Sequence, residues 1–86
     1  MLYEFQRSDY EEEALFDWRS LRGGYGIRIT KNGRKYFATL SPLQHSYKLT
    51  LTRMEDNKKI IELRFRNTSL KDALVRAEYY IMEYAE

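Results

Sequence analysis

The sequence predicts an α+β fold: a four-stranded antiparallel sheet made of two hairpins, with a C-terminal helix and an N-terminal helix packed on one face. Three observations predict it. An Asn-Gly pair separates two segments of alternating apolar residues, a second pair of alternating segments follows, and the C-terminal segment has apolar residues at helical spacing. Because 86 residues can bury one small core, we expect a single domain spanning residues 1–86.

The first hairpin joins residues 25–31 to residues 34–40 through Asn32-Gly33, a pair suited to the two positive φ angles of a type I′ turn. A two-residue turn determines the register. Ile29 then faces Tyr36 on one side of the hairpin, and Arg28 faces Phe37 on the other. We expect the first side to be buried, because it carries the apolar residues of both strands.

The second hairpin follows a loop at residues 41–45 and is predicted by alternation within residues 47–52 and 61–66. A two-residue turn would place Leu51 opposite Glu62, so an apolar residue would face a charge. A three-residue loop, Glu55-Asp56-Asn57, instead pairs Leu51 with Ile61. We therefore predict the three-residue loop, with Asn57 in the left-handed conformation.

Both ends of the chain carry helix signals. Ser69 and Asp72 form a capping-box-like start for a C-terminal helix whose apolar stripe is Leu70, Ala73, Leu74, Ala77, Ile81 and Tyr84. Ser8 with Glu11 is a second capping box, and residues 9–22 before Gly23 are predicted to be helical. The alternative for the N-terminal region is a short strand with Phe16 and Trp18 on one side.

The composition excludes several classes of function. The chain has no Cys, which excludes disulfides and cysteine-based metal sites, and its single histidine, His45, has no neighbouring metal-ligand pattern. No nucleophile, base and orienting group are spaced for catalysis, so we expect a non-enzymatic protein with no cofactor and no metal. No apolar run approaches the length of a membrane span, and a cytoplasmic location is expected.

Charge is unevenly distributed along the chain. Residues 1–18 have a net charge of −5, residues 19–66 of +9, and residues 67–86 of −2. Basic and aromatic side chains that bind phosphates and bases are concentrated in the two hairpins. We predict a nucleic-acid-binding surface made of Arg28, Lys31, Arg34, Lys35, Phe37, Lys48, Arg64 and Arg66. The alternative interpretation is a polar sheet face that serves solubility and strand propensity.

A second hypothesis is a protein-interaction module, such as a small inhibitor of a host protein of the kind made by phages or mobile elements. Val75, Tyr79 and Met82 lie roughly opposite the apolar stripe of the C-terminal helix, so a partner could cover them. That partner could be another protein or a second copy of this chain in a homodimer. The acidic run Glu11-Glu12-Glu13 is the other candidate contact.

Three segments are similar to the arm-site DNA-binding modules of phage and transposon integrases. The segments are Gly24-Tyr25-Gly26-Ile27-Arg28, Asn32-Gly33-Arg34-Lys35 and Phe65-Arg66-Asn67-Thr68-Ser69-Leu70-Lys71-Asp72-Ala73. This resemblance implies a three-stranded sheet placed in the major groove of DNA. The present chain departs from those modules through a fourth predicted strand and an acidic N-terminal segment, and the matched stretches cover a minor part of its length.

Overall fold

The computed structural model describes residues 14–85, which form a five-stranded antiparallel sheet with one helix packed on it. The elements are β1(Arg19–Leu21), β2(Gly24–Lys31), β3(Arg34–Leu43), β4(Ser46–Arg53), β5(Lys58–Arg66) and α1(Leu70–Tyr84). Each strand lies beside its sequence neighbours, in the order β1-β2-β3-β4-β5. The predicted α+β class and antiparallel sheet are confirmed, whereas the predicted number of four strands is wrong.

The β2–β3 hairpin has the predicted turn and register. Asn32 and Gly33 have φ angles of 54° and 76°, as a type I′ turn requires. Ile29 pairs with Tyr36, and Arg28 pairs with Phe37. Turn chemistry and apolar alternation specify the same register here, which is why local sequence was sufficient to predict it.

The predicted loop at residues 41–45 is too long, because β3 continues to Leu43 and the turn consists of Gln44 and His45. Pro42 is accommodated because it pairs with Tyr47 of β4 beyond the end of β2, whose last pair with β3 is Tyr25–Leu40. Successive residues of β3 direct their backbone nitrogens alternately towards β4 and towards β2. The nitrogen of Pro42 points towards β2, at a position where β2 no longer pairs with β3. The missing N–H therefore removes no ladder bond.

The β4–β5 hairpin pairs Leu51 with Ile61, as predicted, and Asn57 has a φ of 57°. The predicted three-residue loop is wrong, because Arg53 pairs with Lys58 and leaves a four-residue turn. A register shift beside Leu51 accounts for the difference: Ile60 is the extra residue of a β-bulge. The bulge preserves the apolar pairing while the turn gains one residue.

Helix α1 begins as predicted, with the Ser69 hydroxyl accepting a hydrogen bond from the Asp72 N–H at 3.2 Å. Its apolar face lies on the sheet and completes the core, whose largest fully buried side chains are Tyr36, Leu40, Leu49, Leu51 and Ile81. Within residues 14–85, no helix has the length and apolar character needed to cross a membrane.

The predicted N-terminal helix over residues 9–22 is wrong for its described part. Residues 14–18 are not helical, residues 19–21 form β1, and residues 9–13 and the Ser8 cap lie outside the described residues. Arg22 and Gly23 form the turn of a β1–β2 hairpin, in which Leu21 pairs with Gly24. A turn between two strands therefore replaces the predicted helix C-terminus.

Tertiary contacts explain why the N-terminal helix signals do not prevail. The buried carboxylate of Glu78 on α1 accepts hydrogen bonds from the backbone N–H groups of Leu15 and Phe16, at 2.7 and 2.9 Å, and from the Trp18 indole at 2.8 Å. Phe16 and Trp18 also pack against the core. These bonds hold residues 15–18 against α1 in a non-helical conformation, whereas a helix over residues 9–22 would use the N–H groups of Leu15 and Phe16 for its own backbone bonds.

Candidate nucleic-acid interface

The sheet has one face covered by α1 and one face that α1 leaves uncovered, which we call the open face. Strand alternation assigns to the open face the side chains between the core residues, so Arg28, Phe37, Thr39 and Thr50 lie there. Its basic residues are Arg19, Arg28, Lys35, Lys48, Lys59, Arg64 and Arg66. Within residues 14–85, no helix lies across this face, so the predicted basic surface is left accessible by the described part of the chain.

Among residues 14–85, opposite charge is scarce on the open face. Glu62 lies on β5 and its carboxylate is 2.8 Å from the Lys59 ammonium. The hydrogen bond and charge of Lys59, followed by the charges of Lys48 and Arg64, lower the pKa of Glu62 from its ordinary value. Glu62 is thus paired with Lys59, and the described strands place no second carboxylate on the open face to balance its other cations.

The positive charges of the open face are neighbours across the strands. Lys48 of β4 pairs directly with Arg64 of β5, and Arg66 follows two residues further along the same side. Among residues 14–85, neither Lys48 nor Arg64 has a carboxylate within 4.0 Å. Like charges directly opposite each other destabilise a sheet, so folding alone does not favour this arrangement.

Lys31 and Arg34 are not on the open face. They pair with each other at the end of the β2–β3 hairpin, in the register that places Ile29 and Tyr36 on the α1 side. The Lys31 ammonium donates a hydrogen bond of 2.6 Å to the carbonyl oxygen of Met82 in the last turn of α1. The structure thus separates these two residues from the six other predicted site residues, and Lys31 supports the helix C-terminus.

Phe37 lies half-buried at the centre of a small apolar cluster on the open face. A Cβ atom placed on Gly26 would lie 2.4 Å from Leu21 Cδ1 and 3.2 Å from Phe37 Cζ. The side chains of Leu21 and Phe37 therefore both lie over the backbone of Gly26, and a side chain at this position would require Leu21 to shift.

A cleft of about 600 Å³ opens beside this cluster, and we call it the Phe37 cleft. It is lined by Asp17, Arg19, Leu21, Gly26, Ile27, Arg28 and Phe37. Sequence reasoning missed the first three because it placed them in a helix. The signal that could have found them is Arg22-Gly23-Gly24, a turn sequence between short segments on either side.

The predicted partner-interface residues have different environments. Val75 and Tyr79 are half-buried, and the Tyr79 ring meets the ring of Tyr80 edge-on at 5.6 Å. Met82 is 47% exposed. The three residues therefore do not form one uniformly exposed apolar surface on α1.

Residues 14–85 contain no group of three His, Asp or Glu side chains close enough to hold a metal ion. Comparisons with protein-family models, with curated proteins and with solved structures found no match for this chain.

Proposed function

We propose that this protein is a non-enzymatic module that binds nucleic acid through the open face of its sheet. The observation that carries the proposal is the direct cross-strand pair of Lys48 and Arg64, which has no carboxylate within 4.0 Å among residues 14–85. Phosphate groups relieve the repulsion within such a pair, because an anion can approach both cations at once.

The arrangement suits a phosphate backbone better than a small anion. Lys48 and Arg64 lie on the two strands at one side of the sheet, while Arg28 and Lys35 lie on the β2–β3 hairpin at the other. A flexible strand of phosphates crossing the sheet meets both groups in succession. Each cation that contacts a phosphate releases condensed counterions, and this release supplies much of the binding free energy.

The alternative, a face that is polar for solubility, predicts a different charge pattern. Surfaces that serve solubility intersperse both signs, and cross-strand positions then favour opposite charges. On the open face of the described chain, the carboxylate among the strand residues is that of Glu62, and Lys59 is its partner. The excess of one sign favours an anionic ligand.

Charge reversal tests the proposal. Arg28→Glu, Lys35→Glu and Arg64→Glu together change three exposed residues of the open face. The matched control is Arg34→Glu, Lys58→Glu and Lys71→Glu, which changes three exposed cations away from that face and leads to the same net charge. Fluorescence anisotropy with labelled single-stranded and duplex oligonucleotides, at low and high salt, measures the affinity of each protein.

We expect the open-face variant to lose binding and the control to retain most of it. Wild-type affinity should fall steeply with salt, with a slope of about −0.7 per contacted phosphate on single strands and about −0.9 on duplex. Equal losses in the two variants would show that net charge, and no particular surface, governs binding. Absence of binding by the wild-type protein at low salt would refute the proposal.

A further inference from the structure

The Phe37 cleft differs chemically from the rest of the open face. Leu21 and Phe37 form an apolar wall, and Asp17 lines the cleft together with Arg19 and Arg28. Asp17 forms no salt bridge within 4.0 Å among residues 14–85. A site built for phosphate alone would exclude a carboxylate, because the two anions repel each other.

The edge of the sheet adds backbone groups to this cleft. The pairs Ile27–Ala38 and Ile29–Tyr36 exchange backbone bonds within the β2–β3 hairpin, so Arg28 directs its N–H and C=O towards the β1 side. Within residues 14–85, β1 pairs with β2 along Gly24–Gly26 and does not extend to Arg28. In the described part of the chain, Arg28 therefore presents a backbone donor and an acceptor at the β1 side, in addition to its guanidinium.

We propose that the Phe37 cleft binds an unpaired base of single-stranded nucleic acid, an inference that rests on the proposed function of the open face. An apolar wall with an aromatic ring, flanked by hydrogen-bond donors and acceptors, matches the flat face and polar edge of a nucleobase. The Asp17 carboxylate accepts from an exocyclic amino group, as carboxylates do with cytosine N4. Phosphates on either side of the base lie against Arg19, Arg28 and the other cations of the open face.

Base pairing would block this mode of binding. In a duplex, the faces of each base are stacked on its neighbours and the Watson–Crick edge is occupied, so neither Phe37 nor Asp17 can reach its contact. The structure therefore assigns the open face a preference for single strands. Duplex binding by the same cations would depend on phosphates alone.

The ring of Phe37 is tested with Phe37→Leu, which keeps an apolar side chain over Gly26 but removes stacking, and with Phe37→Tyr as the matched control. The probes are labelled oligocytidines of about 12 nucleotides in DNA and RNA form, within the site sizes of small single-strand binders, and a DNA duplex of similar length. We expect wild type to bind the single strands more tightly than the duplex. Phe37→Leu should lose at least about fivefold on single strands, the smaller end of a lost base–aromatic stack.

The base site also predicts three further results for the Phe37 variants. Phe37→Tyr should bind as wild type does, Phe37→Leu should leave duplex affinity and the salt slope unchanged, and denaturation should show both variants folded. Whichever of DNA and RNA binds more tightly identifies the sugar of the ligand. A Phe37→Leu variant that is folded and binds single strands as well as wild type would overturn the base site, as would equal loss on single strands and duplex.

The Asp17→Asn variant should change oligonucleotide affinity in opposite directions under the two hypotheses for the cleft. If the cleft held a phosphate, removing the carboxylate would tighten binding to every oligonucleotide, because a repulsive charge is lost. If Asp17 accepts from a base amino group, the variant should bind oligocytidine more weakly, while its affinity for oligothymidine, which lacks that group, does not fall. Tighter binding of the variant to both oligocytidine and oligothymidine would overturn the proposal that Asp17 accepts a hydrogen bond from a base.

Failure of the base site and failure of the proposed function are distinguishable. If the open-face charge reversal abolishes binding but the Phe37 and Asp17 variants behave as wild type, the open face binds nucleic acid without a base site. If the wild-type protein binds no oligonucleotide even at low salt, the proposed function fails together with the inference.

Discussion

The two faces of this sheet are built from the same strands and have opposite properties. On the face covered by α1, Ala38, Leu40, Leu49 and Leu51 are fully buried. Their neighbours in the chain, such as Thr39 and Thr50, belong to the open face and remain partly exposed. Because side chains alternate strictly along a strand, one sequence specifies a packed surface and a charged surface independently.

The two faces also differ in the effects that substitutions should have. The covered face depends on shape, since Ala38, Ala73 and Ala77 are completely buried where the helix meets the sheet. The open face carries side chains that are half-buried or exposed, such as Lys48, Arg28 and Arg64. Substitutions on the covered face should therefore change stability, whereas substitutions on the open face should change binding with little effect on stability.

The largest effect is expected from Leu49→Ala, compared with Thr50→Ala at the adjacent position. Leu49 is fully buried, so truncation leaves a cavity and should lower the free energy of unfolding by about 2–5 kcal/mol. Thr50→Ala on the open face should change it by less than about 1 kcal/mol. Urea denaturation followed by circular dichroism measures the free energy of unfolding of both variants. Similar losses of stability would contradict the distinction between the two faces.

An intermediate effect is expected from Glu78→Gln, which perturbs the attachment of residues 15–18 to α1. Three N–H groups donate to this carboxylate, and an amide retains one acceptor oxygen while directing an NH₂ group at the donors. We expect a loss of about 1–3 kcal/mol, the scale for charge-assisted bonds left unsatisfied. Trp18 fluorescence should shift to longer wavelength as the indole becomes hydrated.

The control for Glu78 is Glu83→Gln, an exposed carboxylate on the same helix. It should change neither stability nor the fluorescence of Trp18. Because Asp17 lies within the attached segment and Arg19 follows it directly, Glu78→Gln should also weaken single-strand binding more than duplex binding. An unchanged Trp18 spectrum would contradict the structural role of these bonds.

The smallest effect on stability is expected from a substitution in the β4–β5 turn, at the end of the sheet. Arg53 donates two hydrogen bonds to Asp56, at 3.0 and 2.8 Å. These bonds lower the pKa of Asp56 from 3.8 to about 2. A lowered folded-state pKa means that the ionised carboxylate stabilises the folded protein above pH about 4, and that this stabilisation is lost as pH falls towards about 2.

Asp56→Asn should therefore be less stable than wild type near neutral pH, with a difference that shrinks below pH about 4. Thermal denaturation across this pH range measures the difference, and Glu55→Gln in the same turn is the control. Because the pair is exposed, added salt should also reduce the difference. A difference independent of pH would show that the Asp56 carboxylate is not selectively stabilised in the folded protein.

In the candidate site, the sequence predicted the sheet face of a side chain correctly wherever apolar and polar residues alternate along a strand. Arg28, Phe37, Lys48 and Arg64 were placed on one face because their hairpins have apolar residues on the other. Lys31 and Arg34 were included because the hairpin tip continues the basic face, whereas in the structure they lie on the α1 side, where the Lys31 ammonium donates to the Met82 carbonyl oxygen. Charge content alone does not reveal which face a residue at a hairpin end occupies.

The sequence by itself determined the elements whose signals are local and mutually consistent: the Asn32-Gly33 hairpin, the pairing of Leu51 with Ile61, and the Ser69-capped helix. Only the tertiary structure decided the conformation of residues 15–18, because their hydrogen bonds to Glu78 join groups 60 to 63 residues apart in the chain. Helix signals are worth a few tenths to about 1 kcal/mol each. Burying Phe16 and Trp18 and satisfying three N–H groups outweighs them, and that outcome placed Asp17, Arg19 and Leu21 around Phe37.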